Sequence, residues 1–355
     1  MNRLAGPQRS ELTAVWLFTV AALVFAMVVV GGATRLTHSG LSITEWKPIS
    51  GVIPPLDVAH WREAFAKYQT TPEYRFINRG MTLDQFKEIY RWEWAHRLLG
   101  RLVGAAIAVP FVILLATRRL PQRLIGWCAL LLVLVGFQGL IGWWMVKSGL
   151  SVRTDVAPER LTIHLGSALL IFLLALWAGI EALAMPDRVR PPRGWTRAAG
   201  GVVALAYGQA LLGGLVAGDK AGLMYNDWPL MNGKLIAPID WKDGVLRAFL
   251  HDHALVQLDH RIGAYILFLA AWAYALQAVR SPMPESAKLW AAGLAAAVTA
   301  QALLGIATLM NHVPLWLGAL HQAGAVAILT LAAINLWRML RVEERLFSTG
   351  IAAFR

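Results

Sequence analysis

Four histidines, His96, His164, His260 and His321, stand inside long apolar runs, and in "RWEWAHRLLGR" an acid, Glu93, precedes the first of them by three residues. Ionisable groups within lipid-crossing segments are costly and mark functional sites. Imidazoles projecting from facing helices can share a metal, and iron, copper and zinc all accept them. A pair of imidazoles on opposite sides of a flat macrocycle is also a way to hold haem iron. The competing use of a membrane histidine, as a hydrogen-bonded core residue, explains one such residue better than four.

The elements that must position these residues are apolar helices. The 355-residue chain is 57% hydrophobic and only 15% charged, with a mean hydropathy of +0.52, which points to a polytopic membrane protein. A hydrocarbon core of about 30 Å takes roughly 20 residues to cross as a helix. Eight runs of that kind occur, near Ala14–Ala33, Glu93–Ala116, Leu124–Val146, Leu161–Leu183, Ala198–Ala217, Val256–Ala278, Leu289–Met310 and Leu315–Leu336. The first is too long for a signal-peptide core and is read as a retained helix.

The net charge of +12 follows topology and gives no indication of a polyanionic partner. Arg3 and Arg9 precede the first run; Arg118, Arg119 and Arg123 separate the second and third; Arg188, Arg190, Arg193 and Arg197 separate the fourth and fifth. Arg280 and Lys288 separate the sixth and seventh, and Arg338, Arg341, Arg345 and Arg355 follow the eighth. Positive charge on alternate connections places both termini in the cytoplasm. The lone cysteine, Cys128, lies in the third run and is read as a small apolar side chain.

The chain repeats itself. "VVVGGATRL" returns as "ALLGGLVAG", "AHRLLGRLVG" as "DHRIGAYIL", "FQGLIGWWM" as "AQALLGIATLM" and "IHLGSALLIF" as "LHQAGAVAIL". Each half is therefore a unit of four helices, 1–185 and 186–355, joined by the Pro- and Arg-rich hinge "MPDRVRPPRGW". Because four is even, the halves share one orientation, which predicts two tandem four-helix bundles related by a pseudo-two-fold axis along the membrane normal. The first half carries a long outer loop with "TEWKPISGVIPP" and a short amphipathic helix starting at "TLDQ", where Thr82 and Gln85 fit a capping box. Loops of this length act as lids or binding surfaces.

All four histidines lie a few residues into even-numbered runs, which enter from the outer side. At about 1.5 Å rise per residue, they form one layer roughly 5–10 Å below the outer interface. Gly31, Gly32, Gly136, Gly139, Gly142, Gly213, Gly214 and Gly305 line the odd runs, where missing side chains would admit a flat macrocycle; close helix packing is the alternative. Arg97 and Arg261 stand beside two of the histidines and could pair with haem propionates or reach the interface as helix-end arginines. Aligning His96 with His260 sets Glu93 opposite Gln257. Glu93 would then handle protons beside a reacting substrate, or merely complement its helix N-terminus.

"TRLTHSGLSITEWKPISGVIPPL", "TPEYRFINRGMTLDQFKEIYRWEWAHRLLGR", "DHRIGAY" and "LHQ" resemble the haem A synthase family of cytochrome oxidase assembly proteins, over nearly the whole chain. The resemblance implies a bacterial inner-membrane enzyme that oxidises the C8 methyl of haem O to the formyl group of haem A by successive hydroxylations. It implies that His96 and His164 hold the substrate haem iron, that His260 and His321 are axial ligands of a haem b cofactor, and that Glu93 is the family's catalytic glutamate. The haem sites would face the periplasm. A haem O synthase and an unidentified electron donor are implied as partners. Some members carry paired loop cysteines; this chain has none, as in the cysteine-free branch of alphaproteobacteria and mitochondria. Two rival readings of the residues are a bis-histidine cytochrome that only transfers electrons and a transporter, which would favour midplane sites and broken helices.

Overall fold

The computed structural model describes residues 10–151, 153–183 and 193–340. Their fold is all-α. Eight helices are long and apolar enough to cross a membrane: α1 (Glu11–Leu36), α4 (Leu83–Ala116), α5 (Gln122–Gly149), α6 (Pro158–Leu183), α7 (Arg193–Asp219), α9 (His253–Arg280), α10 (Glu285–Met310) and α11 (Leu315–Met339). They coincide with the eight expected runs. Three short helices, α2 (Val58–Tyr68), α3 (Pro72–Phe76) and α8 (Val245–His251), lie in the connections between α1 and α4 and between α7 and α9.

Local chemistry starts the helices where the sequence permits. Ser10 caps α1, Asp252 caps α9, and Thr82 with Gln85 forms the expected capping box at α4. The helix beginning at "TLDQ" is not a separate short element, however. It runs unbroken from Leu83 through the second span, because nothing between Asp84 and Arg91 breaks a helix. Within lipid a free backbone carbonyl is expensive, and Pro110 inside α4 cannot donate to Ala106 four residues back. The indole of Trp16 donates to that carbonyl at 2.6 Å, so α1 repairs the gap and is thereby fastened to α4.

In the first half α1, α4, α5 and α6 neighbour one another in cyclic order; in the second, α7, α9, α10 and α11 do the same. The halves meet where α1 packs on α11 and α6 packs on α7 and α11. A two-fold that exchanges the halves maps these seams onto each other, so the packing is consistent with the expected pseudo-symmetry. Gln322 of α11 donates to the Val28 carbonyl of α1 at 3.0 Å, with Gly32 leaving room for the amide. Of the expected hinge, residues 185–192 lie outside the described residues, as do Arg3, Arg9, Arg188, Arg190, Arg341, Arg345 and Arg355; Arg193 to Trp195 begin α7.

The long connection between α1 and α4 is a built structure. Trp61, Phe65, Tyr68, Tyr74, Phe86 and Tyr90 form an aromatic cluster that joins α2 and α3 to the N-terminal end of α4, with Tyr68 and Phe86 fully buried.

Candidate functional site

His164, His260 and His321 lie six or seven residues after the first residue of α6, α9 and α11, whereas His96 lies thirteen residues after the start of the longer α4; all four residues are partly exposed. Beneath each ring a glycine comes from an odd-numbered span of the same half. A Cβ on Gly31 would lie 3.1 Å from His96 Nε2, and one on Gly142 would lie 3.1 Å from His164 Cε1. On Gly213 it would lie 3.2 Å from His260 Cε1, and on Gly305 2.8 Å from His321 Cε1. These four glycines are seats for imidazoles, a close-packing use of the kind that stood as the alternative to admitting a macrocycle. Gly32 and Gly214 serve packing between the halves, the latter against Thr162 and Leu165, while Gly136 and Gly139 face open space.

Glutamines fasten three of the rings. Gln138 on α5 lies 3.2 Å from His164 Nδ1 and donates to the His164 main-chain carbonyl at 2.9 Å. Gln209 on α7 does the same at His260, at 3.0 and 2.9 Å, and Gln301 on α10 at His321, at 3.1 and 2.7 Å. Gln138 and Gln301 were visible in the sequence only as landmarks of the repeat, and Gln209 was not noticed. The signal that finds all three is Gln-x-x-x-Gly, which places amide and glycine on one helix face.

A haem fits between these residues. The His260 and His321 rings are 6.4 Å apart, centroid to centroid, at an interplanar angle of 81°. Two metal–imidazole bonds of about 2 Å each, plus the ring radii, make roughly 6 Å, so one iron fits between them. His96 and His164 lie within electrostatic reach of each other. Among the described residues no three His, Cys, Asp or Glu side chains gather as a bare-ion site would require; the histidines come in pairs.

Glu93 is turned away from the imidazoles towards the outer loop. Its carboxylate accepts from the Ser42 hydroxyl and the Ile43 N–H, both at 2.7 Å. It also accepts from Arg97 Nε at 3.1 Å and Nη2 at 2.7 Å. Arg97 donates in turn to the carbonyls of Ile43 and Glu45, Arg101 to those of Lys47 and Pro48, and Trp94 to that of Val52. One face of α4 thus grips the whole stretch from Ser42 to Val52. Sequence reading missed Ser42 and Ile43 because their partner lies about fifty residues away.

The second half has the same device with opposite polarity. Gln257 donates to the carbonyls of Ala221 and Tyr225 and accepts from Arg261, which donates to the carbonyls of Tyr225, Asp227, Pro229 and Leu230. Arg97 and Arg261 are therefore occupied by loop carbonyls. That leaves little of their donor capacity for propionates, one of the two uses their positions left open.

A family model described as "Cytochrome oxidase assembly protein" matches residues 14–333. The chain belongs to this family. The match spans all four histidines and Glu93. The protein named "Heme A synthase" in Caulobacter sp. (strain K31) is 54% identical over 342 residues, covering 96% of this chain and 100% of the relative. The like-named protein of Caulobacter vibrioides is 52% identical, again with 96% and 100% covered. That of Parvibaculum lavamentivorans is 46% identical over 91% of this chain and 93% of its own length. With eight apolar spans and these relatives, the chain is an integral membrane protein of a bacterium.

Proposed function

We infer that this protein is a haem A synthase, an oxidoreductase that converts the C8 methyl of haem O to the formyl group of haem A for cytochrome oxidase assembly. Two successive hydroxylations of that carbon give a hydrated aldehyde, which loses water. The observation that carries the reading is full-length identity of about one half to proteins bearing that name, together with four glycine-seated imidazoles, of which His260 and His321 face each other.

In this reading residues 1–185 form the substrate half, where His96 and His164 hold the iron of haem O and the farnesyl tail lies among apolar helices or lipid. Residues 186–355 form the cofactor half, where His260 and His321 would hold the iron of the cofactor haem. Haem b bound there would supply one-electron redox chemistry. Gln209 and Gln301 fix the orientation of its two ligands, and Gly213 and Gly305 fix their depth. Glu93 acts by holding the Ser42–Val52 loop over the substrate half, with Arg97 as its counter-ion. It is a positioning residue; serving as a proton acceptor would mean giving up one of its four hydrogen bonds. Both termini are cytoplasmic and both haem sites face the periplasm. An electron donor supplies the second half, and a haem O-forming farnesyltransferase supplies the first.

The test is to give the purified, reduced protein haem O and dioxygen and to separate the extracted haems by chromatography. Haem A, with haem B retained, is the expected result. Haem B alone, with no haem O or haem A bound, would mean a protein that only transfers electrons.

A further inference from the structure

The glutamine clamp occurs at three imidazoles and is missing at the fourth. Gln138, Gln209 and Gln301 each stand four residues before the glycine under the ring they hold, whereas Met27 stands four residues before Gly31. The clamp has a second part on the helix that carries the histidine. Three residues after His164, His260 and His321 come Ser167, Gly263 and Gly324, and each meets the amide oxygen of its glutamine, Ser167 through a hydrogen bond. Three residues after His96 comes Leu99. One residue further, Gly100 faces the Met27 methyl, at 3.3 Å from the position a Cβ would take. Amide and small partner have thus been replaced together, by a thioether and a branched apolar side chain.

The consequence shows in the ring itself. The three clamped rings present Cε1 to their glycines, with Nδ1 held by the amide; His96 presents its Nε2–Cδ2 edge to Gly31 and has no hydrogen-bond partner among the described residues. The glutamine amide nitrogen donates to both Nδ1 and the main-chain carbonyl of its histidine, and so fixes the ring's orientation relative to its own helix. An unclamped ring is free to turn about its Cβ–Cγ bond.

We propose that His96 is the exchangeable ligand of the first pair, and that a small neutral molecule of the dioxygen and carbon monoxide class reaches the iron on the Met27 side, while His164, His260 and His321 stay bound. The proposal rests on the reading that a haem occupies the first half. An iron held by two imidazoles has no open position, so a site that reacts with a gas must release one, and a site that only passes electrons must release neither. Met27 and Leu99 are positioning residues in this scheme, acting through the His96 ring.

Carbon monoxide titrated into the dithionite-reduced, haem-loaded protein and followed by the Soret difference spectrum is the test, with haems counted and identified by extraction beforehand. The wild-type protein should bind one carbon monoxide per two haems. Met27→Gln with Leu99→Ser, which rebuilds the clamp found at His164, should weaken that binding by about tenfold, the scale of one buried hydrogen bond. Gln301→Met alone should let the second haem bind the gas, and it carries the test if the double variant does not fold. Binding to neither wild-type haem, equal binding to both, an unchanged affinity in the rebuilt clamp or a second haem that stays closed in Gln301→Met would each overturn the proposal. A protein with a single haem, in the second half, would overturn the functional reading itself, and extraction shows this before any gas is added.

Discussion

Glu93→Gln preserves the shape of the side chain and removes its charge. The carboxylate is 3% exposed and Arg97 14% exposed, so their 2.7 Å ion pair behaves as a buried one. Four donors converge on Glu93, from Ser42, Ile43 and twice from Arg97. An amide offers one acceptor oxygen, so its NH2 must face either the loop donors or the guanidinium. Hydrogen bonds to a charged group contribute about 1.5–3 kcal/mol each, and breaking one side of a buried pair costs about 3–5 kcal/mol. The closed loop should lose about 3 kcal/mol, which at 1.4 kcal/mol per factor of ten is roughly a hundredfold in its closed-to-open ratio. Hydrogen exchange of the protein in lipid nanodiscs should show residues 42–52 exchanging about a hundredfold faster, with Arg97→Gln doing likewise. Haem A formation should fall while the haem in the second half stays bound. If Ile43 stays protected in Glu93→Gln and haem A formation is nevertheless lost, Glu93 acts on the reacting atoms and the positioning account is wrong. Full turnover would remove both roles.

Other perturbations read separate parts of the structure. Burial, joined by the nearby charges of Asp155 and Glu93, raises the Glu73 carboxyl to about 8 against the Tyr68 hydroxyl that donates to it. The folded loop therefore holds a proton that the unfolded chain releases near 4.5, so its stability should fall as pH rises from about 5 through 8. Protease protection of residues 58–78 across that range should follow this slope, and Glu73→Gln should flatten it. Gly305→Ala would drive a methyl to 2.8 Å from the His321 ring, whereas Gly136 has nothing within 4 Å; haem content should drop in the first variant and hold in the second. Trp16→Phe leaves the Ala106 carbonyl that Pro110 cannot serve without its indole donor. It should lower thermal stability by about 1–3 kcal/mol, the cost of an unsatisfied buried group, without changing the haem spectrum.

Much of this architecture was legible because lipid imposes a simple rule. Eight runs had to be helices, and the internal repeat put one histidine on each even-numbered span. The same repeat held the glutamine clamp, yet Gln209 went unnoticed because attention fell on ionisable residues, and Met27 draws notice only once its three counterparts are seen in place. The outer connection was harder to read. Charged residues from Asp84 to Arg91 conceal that the helix starting at Leu83 continues into the second span; α2 carries a helical spacing in Val58, Trp61, Phe65 and Tyr68 behind its Asp57 cap that went unread, and α3 is only five residues long. Glu93 shares a helix face with His96, as the spacing required, but its carboxylate follows Ser42 and Ile43, whose approach depends on the path of the chain and not on local sequence. The same holds for Arg97 and Arg261, whose partners are carbonyls, which every residue type supplies and no sequence motif marks.

The central claim, one substrate half and one cofactor half, is tested most directly by chromatography of the haems bound to His260→Ala and to His96→Ala, each expressed with a supply of haem O. The account predicts that His260→Ala loses haem B and keeps haem O, and that His96→Ala keeps haem B while its haem O and haem A fall. Loss of haem B from His96→Ala with its retention in His260→Ala would contradict the assignment of the two halves.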